Sequence, residues 1–280
     1  ADPMFLQIWD KIKFHTKYSV NYETAELITL AAKAVKDMDE TKKPSIRSTK
    51  KKVVITDEGI EGQLLSDSGK DDYNYHIDMP DMLGYIQSKT ELTRSTILEI
   101  IKKSGRIAEV LINPQLFMDN IVSSIRQVLY ALMIEGIKYE KIGGKVYEMK
   151  LFEDNELEIY VDKFTHTVLQ PDKTIYENLI PLQSDVESEF AKDCESSENI
   201  EFYFKLPFWF KIQTPIGPYN PDWAIVFKDE KKIYFVAETK SAGQELRGSE
   251  KLKIKCGKEH FKEFDDVVYK RVATVSELSK

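Results

Sequence analysis

The chain has 280 residues, 42% hydrophobic and 11% aromatic, with a formal net charge of -7. That is apolar material for one large domain or two ordinary ones. No stretch approaches the roughly 20 uninterrupted apolar residues that cross a bilayer, and Lys11 to Tyr22 is too mixed and charged for a secretory signal. A membrane role is therefore not expected, and a cytoplasmic location is. The acidic balance excludes a uniformly basic surface but not a local one, since binding depends on where the lysines lie. Cys194 and Cys256 have no neighbours at metal-ligand spacing and read as free thiols. Ala1-Asp2-Pro3, ahead of Met4, reads as an added leader outside the fold.

The first predicted helix is Tyr22 to Met38, with Leu27, Ile28, Ala31, Ala34, Val35 and Met38 at helical spacing. Lys42-Lys43-Pro44 stops it. Val53-Val54-Ile55 reads as a short strand, residues 59–72 as a Gly-, Ser- and Asp-rich loop, and residues 73–79 as a second short strand. Thr93 caps a helix carrying Ile97, Leu98, Ile100 and Ile101 that ends at Ser104-Gly105. Asn113-Pro114 opens another, carrying Phe117, Ile121, Ile125, Val128, Leu129 and Leu132, with Gly136 as its stop. A strand from Val146 to Phe152 follows Gly143-Gly144. Residues 4–165 read together as an α+β accessory region.

The pattern changes from residue 166. Pro171 and Pro181 frame an irregular linker, and Ser184 caps a helix to Glu195 with Glu187 in its first turn. Apolar runs follow at 200–206, 208–212, 219–227 and 233–237. A helix over 247–264 and a strand over 267–275 complete an α/β core within a chain that is α+β overall.

Chemistry concentrates where Pro221-Asp222 opens one apolar run and a second ends in Glu238-Thr239-Lys240. Sixteen residues separate Asp222 from Glu238, room for a strand, a tight turn and a strand. Alternation puts Glu238 and Lys240 on one face. An antiparallel pairing therefore brings two carboxylates and an ammonium to one end of a hairpin. Carboxylates at such a point suit Mg²⁺, with Mn²⁺ as a substitute. Phosphodiester hydrolysis uses such a metal to polarise the phosphoryl group and acidify a water. In this reading Asp222 and Glu238 ligate the metal, the Thr239 carbonyl adds a ligand, and Lys240 stabilises charge on phosphate or orients the water. Glu187, on the preceding helix, holds a metal-bound water or a second metal.

The Pro-Asp dipeptide recurs at Pro80-Asp81 and Pro171-Asp172, but neither leads into a strand pair ending in Glu-x-Lys. The bland alternative is a surface hairpin with solvated charges; the near-continuous apolar character of both strands argues against it. The last helix is locally basic, and Lys253 and Lys258, with His260 beside them, are candidates for contacting phosphates.

These residues carry a resemblance. Ser184-Asp185-Val186-Glu187, Leu206-Pro207, Trp209-Phe210-Lys211-Ile212, Thr214-Pro215, Gly217, Tyr219-Asn220-Pro221-Asp222-Trp223-Ala224, Glu238-Thr239-Lys240 and Lys253-Ile254-Lys255-Cys256-Gly257-Lys258 with His260-Phe261 closely resemble the C-terminal endonuclease domain of the restriction subunit of type III restriction–modification enzymes. Trp9 to Lys13, Leu92-Thr93-Arg94, Asn113-Pro114-Gln115 and Gly136 to Glu140 resemble the region between that subunit's motor and its nuclease. The resemblance implies a PD-(D/E)xK restriction-endonuclease-like core at 166–280, a mixed sheet flanked by helices, preceded by the accessory region. It also implies a Mg²⁺-dependent endonuclease cutting double-stranded DNA away from its recognition site, with Asp222, Glu238 and Lys240 as its triad and Glu187 as the helix carboxylate. Its partners would be a helicase motor and a separate modification (methyltransferase) subunit. No Gly-x-x-x-x-Gly-Lys-[Ser/Thr] loop is present, so no ATP site is expected in this chain. Two rivals remain: a non-catalytic module that docks DNA or a subunit, and a hydrolase of another phosphate ester.

Overall fold

A computed structural model describes residues 2–56, 59–72, 80–148, 165–182, 184–228, 233–236, 239 and 248–278. In chain order the elements are helix α1 (Pro3–Ile12), strand β1 (Phe14–Ser19), α2 (Thr24–Asp37), β2 (Ser45–Thr56), β3 (Gly59–Asp72), α3 (Met82–Thr90), α4 (Arg94–Ser104), α5 (Pro114–Glu135), β4 (Lys138–Val146), β5 (Thr165–Thr167), β6 (Leu179–Pro181), α6 (Asp185–Ser196), β7 (Ile200–Lys205), β8 (Trp223–Phe227), β9 (Ile233–Val236), α7 (Gly248–Phe261) and β10 (Val267–Lys270). They form a mixed α+β fold of two compact units. One comprises residues 1–21 with 133–280, the other residues 22–132.

The 22–132 unit is mainly helical, and its helix ends are capped as expected. Thr93 Oγ1 accepts from the Thr96 N–H at 3.2 Å and Gly105 closes α4 at φ 74°. Asn113 Oδ1 accepts from the Leu116 N–H at 3.2 Å. Arg106 fastens the end of α2: it donates to the carbonyls of Val35 and Lys36 at 3.2 Å and also to that of Met38. Cations suit such carbonyls, which carry the negative end of the helix dipole. The same guanidinium grips Glu109 at 2.5 Å and holds its carboxyl down to about 2.

Residues 59–72 form a strand, not a loop, paired antiparallel with β2 from Ser45↔Asp72 to Thr56↔Gly59. Backbone groups alone can satisfy such a ladder, so a polar, glycine-bearing sequence pairs where side-chain pattern gives no sign. The strand expected at 73–79 lies outside the described residues. Residues 82–90, missed as a helix, form α3, with Asp81 Oδ1 accepting from the Gly84 N–H at 3.0 Å.

The other unit is built on the sheet β10-β9-β8-β7, in which β7, β8 and β9 run antiparallel in sequence and β10 adds parallel to β9. α6 precedes the three strands, and α7 provides the crossover that a parallel β9–β10 pair requires. Both faces of the sheet are buried. Phe202, Phe204, Ala224 and Val226 face one cluster with Phe5, Ile8, Trp9 and Ile12 of α1 and with Phe261. Tyr203, Trp223, Ile225 and Phe227 face the other with Phe190, Ala191 and Cys194 of α6. The period-two alternation of each strand thus fills two cores.

α1, β1 and β4 pack with the C-terminal strands in one unit, so the compact units cross the boundary expected at residue 165. The reason is long-range apolar burial: Ile134, Ile137, Tyr139 and Tyr147 share the cluster of α1 and β7. Asp2 and Pro3, set aside as a leader, start α1, with Asp2 Oδ1 accepting from the Met4 N–H at 2.7 Å. The strand around Gly143-Gly144 runs through these glycines rather than after them. Its pairing with β1 slips between Phe14↔Val146 and Thr16↔Lys141, and Gly144 takes φ 76°. A bulge there needs a residue tolerant of positive φ. Residues 149–152 lie outside the described residues. The run 208–212 is a turn whose Ile212 forms an isolated bridge to Tyr219, and the last strand stops at Lys270.

Candidate active site

The site grows from the end of the sheet where β7 finishes and β8 starts. The β7–β8 ladder runs on past Lys205↔Trp223, with the Leu206 N–H donating to the Asp222 carbonyl at 2.9 Å. Asn220 braces the approach: its Nδ2 donates to the carbonyls of Phe210 at 2.8 Å and Pro207 at 3.2 Å. Asp222 is therefore held by its backbone on the last rung, half-buried.

The antiparallel register Trp223↔Val236 directs the chain after β9 toward Asp222. The Thr239 N–H donates to Asp222 Oδ2 at 3.2 Å. The strand ends thus converge as the hairpin reading expects. Glu238 and Lys240 themselves lie outside the described residues. Thr239 is buried, and its Oγ1 has no hydrogen-bond partner among the described residues.

The two other Pro-Asp dipeptides have structural work instead. Asp81 caps α3 and pairs with Arg94 at 2.7 Å. Pro171-Asp172 lies in a 3-10 turn. Only Asp222 opens a strand.

Glu187 sits in the first turn of α6, its N–H donating to Ser184 Oγ at 3.3 Å. Its side chain is nearly buried and forms an ion pair with Lys205, the last residue of β7, whose side chain is also mostly covered. The ammonium lies 5.9 Å from the centre of the Trp223 ring, next to Asp222 in the chain. Lys205 was absent from the sequence reading. The signal was available in alternation: Tyr203 faces α6, so Lys205 does too.

The basic helix divides. Lys258 is exposed, and Lys253 is partly exposed with Nζ donating to the Pro218 carbonyl at 3.0 Å. His260 is not on that face; it is 1% exposed, its Nδ1 lies 2.9 Å from Thr16 Oγ1, and Tyr139, Phe261 and Phe264 surround the ring. Burial, with a smaller contribution from Lys141, pushes its imidazole down to about 3. A neutral, enclosed ring cannot serve as a phosphate-binding cation, so the histidine's place is in the core. Gly257 lets the same helix press close: a Cβ there would stand 2.8 Å from the Tyr219 ring and 2.9 Å from Tyr269.

Asp222 supplies one carboxylate at the strand end, its Oδ2 accepting from the Thr239 backbone N–H. Among the described residues, no group of three or more metal-ligating side chains forms, and Glu238 is not one of those residues.

Residues 172–275 match the model of a family described as "Endonuclease domain", which spans under half of the chain. The match contains Asp222, Glu187, Lys205 and α7. This part of the chain is thus similar to an endonuclease domain, and the similarity supports nuclease activity on DNA. No curated protein and no solved structure matches the chain. No helix among the described residues is long and apolar enough to cross a membrane.

Proposed function

We propose that residues 166–280 are a PD-(D/E)xK nuclease that hydrolyses phosphodiester bonds of double-stranded DNA, and that the chain belongs to the restriction subunit of a type III restriction–modification enzyme. The observation that carries the nuclease reading is the hydrogen bond from Thr239 to Asp222, which joins the two strand ends the motif requires, inside the span that matches an endonuclease domain. Asp222 and Glu238 would hold Mg²⁺, with the Thr239 carbonyl as a further ligand; bound there, the ion would polarise the phosphoryl oxygen and lower the pKa of a water. Lys240 stabilises charge that develops on the phosphate. Glu187 positions the water side of the site from α6. Lys253 and Lys258 give α7 a local positive face for phosphates despite the net acidic chain. The modification subunit and the helicase motor would lie on other parts of the complex, so target choice is not the task of this site.

The test is cleavage of supercoiled plasmid with Mg²⁺ or Mn²⁺ by the chain and by its Asp222→Ala and Lys240→Ala variants. Cutting by the parent that both substitutions abolish supports the proposal; cutting that survives both overturns it.

A further inference from the structure

We infer that Phe208 positions the substrate, as an aromatic wedge that enters the base stack of DNA held at the Asp222 strand end. The inference rests on the nuclease reading and deepens it by naming a residue that grips the duplex. Phe208 is 67% exposed, while Leu206 and Phe210 are buried. Trp209 packs edge-on against Trp9, ring centres 5.9 Å apart. Among residues 206–210 only Phe208 is exposed. The ring does not ride on a loose loop. The Phe210 N–H donates to the Pro207 carbonyl at 2.9 Å. Asn220 Nδ2 donates to the Phe210 carbonyl at 2.8 Å and to the Pro207 carbonyl at 3.2 Å, so the turn is clamped on both sides of Phe208. Ile212 and Tyr219 exchange backbone hydrogen bonds at 2.8 and 2.9 Å and close the same loop.

Single exposed apolar residues are ordinary on protein surfaces; Phe208 differs in its place. Leu206 shares a backbone rung with Asp222, its N–H donating to the Asp222 carbonyl at 2.9 Å. Two residues reach at most about 7 Å, so the Phe208 backbone stands no further than about two base steps of a DNA strand from that rung. Lys211, just past the turn, is exposed and offers a cation for a neighbouring phosphate. An apolar wedge partly unstacks a base step and kinks the duplex. A ring carried on a turn that is already fixed loses little freedom in doing so. Such a contact reads little sequence, in keeping with a site that does not choose its target.

Fluorescence anisotropy of the whole chain on a labelled duplex tests this, without divalent metal so that the duplex stays intact. Phe208→Ala is expected to weaken binding by about 10-fold, the scale of a lost base–aromatic contact. The salt slope should not change, because no phosphate contact is lost. Phe208→Trp, which keeps a ring at the position, should bind as the parent does. A duplex with spaced mismatches, whose steps cost less to open, should bind the parent several-fold more tightly than a matched one. Phe208→Ala should lose that preference. Equal binding of the two duplexes by the parent, or a Phe208→Ala variant that matches the parent, overturns the inference and leaves the nuclease reading to the plasmid cleavage test. A parent that binds neither duplex removes both.

Discussion

The two ends of α6 each carry a nearly buried glutamate, and they are treated differently. At the C-terminal end Glu195 is saturated. Oε1 accepts from the backbone N–H groups of Leu169 and Gln170 at 2.6 Å each, and Oε2 lies 2.9 Å from His166 Nε2. Lys173 then donates to the Glu195 and Ser197 carbonyls at 2.9 Å. Burial alone would raise the Glu195 carboxyl, but the Gln170 N–H, His166 and the Leu169 N–H override it and hold it below its ordinary value. This end is a rivet that fastens residues 165–173 to the helix. At the N-terminal end Glu187 meets a mobile-length cation, Lys205, at the rim of the sheet beside Asp222. Glu195 is thus held by backbone donors and His166, whereas Glu187 meets a lysine side chain from the strand that pairs beside Asp222.

Substitutions at the two ends break this contrast in different currencies. The largest effect is expected at the rim. Asp222→Ala and Lys240→Ala should each lower cleavage by roughly 100-fold or more, an effect of the size seen when a group stabilising transition-state charge is lost. Their melting temperatures should change little. Glu195→Ala should do the reverse, lowering unfolding free energy by about 3 kcal/mol, because it strands the Leu169 and Gln170 N–H donors. Urea denaturation measures it, and cleavage per folded molecule should hold.

Acid provides a third probe. His260 is neutral when folded, with its value depressed from 6.5 to about 3, so its contribution is full above pH 6.5 and is lost as pH falls toward 3. At pH 4 this amounts to about 3 kcal/mol. Unfolding of His260→Phe, followed from pH 7 to pH 4, should show a flatter decline than the parent. Glu195 acts lower on the scale: its stabilisation is present above the ordinary carboxylate value of 4.5 and disappears as pH falls through its depressed folded value. The smallest effect belongs to the exposed Lys258. Lys258→Ala should weaken DNA binding a few-fold, roughly uniformly across sequences, and reduce the salt slope by about 1. Fluorescence anisotropy at several salt concentrations measures both.

Local signals made much of this fold legible. Thr93, Asn113 and Ser184 announced the starts of α4, α5 and α6, and apolar runs announced β7, β8 and β9, because capping and burial depend on nearby residues. β3 was not legible, since its ladder is made by the backbone. Neither was the union of α1 and β4 with the C-terminal sheet, which depends on contacts far apart in sequence such as Phe5 with Phe204, rings 5.3 Å apart. At the site, Asp222 stood out by its place before an apolar strand, and the structure supports that distinction by giving Asp81 and Asp172 other surroundings. His260 misled: helical spacing put it beside lysines in sequence, while the packing of α7 turned it inward. Lys205 escaped notice because its importance depends on strand register.

The most direct measurement is a crystal structure soaked in Mn²⁺, with the ion located by its anomalous scattering. The account predicts an ion bound by the carboxylates of Asp222 and Glu238 at about 2.2 Å. A chain that cuts DNA yet shows no ion at Asp222 would contradict it.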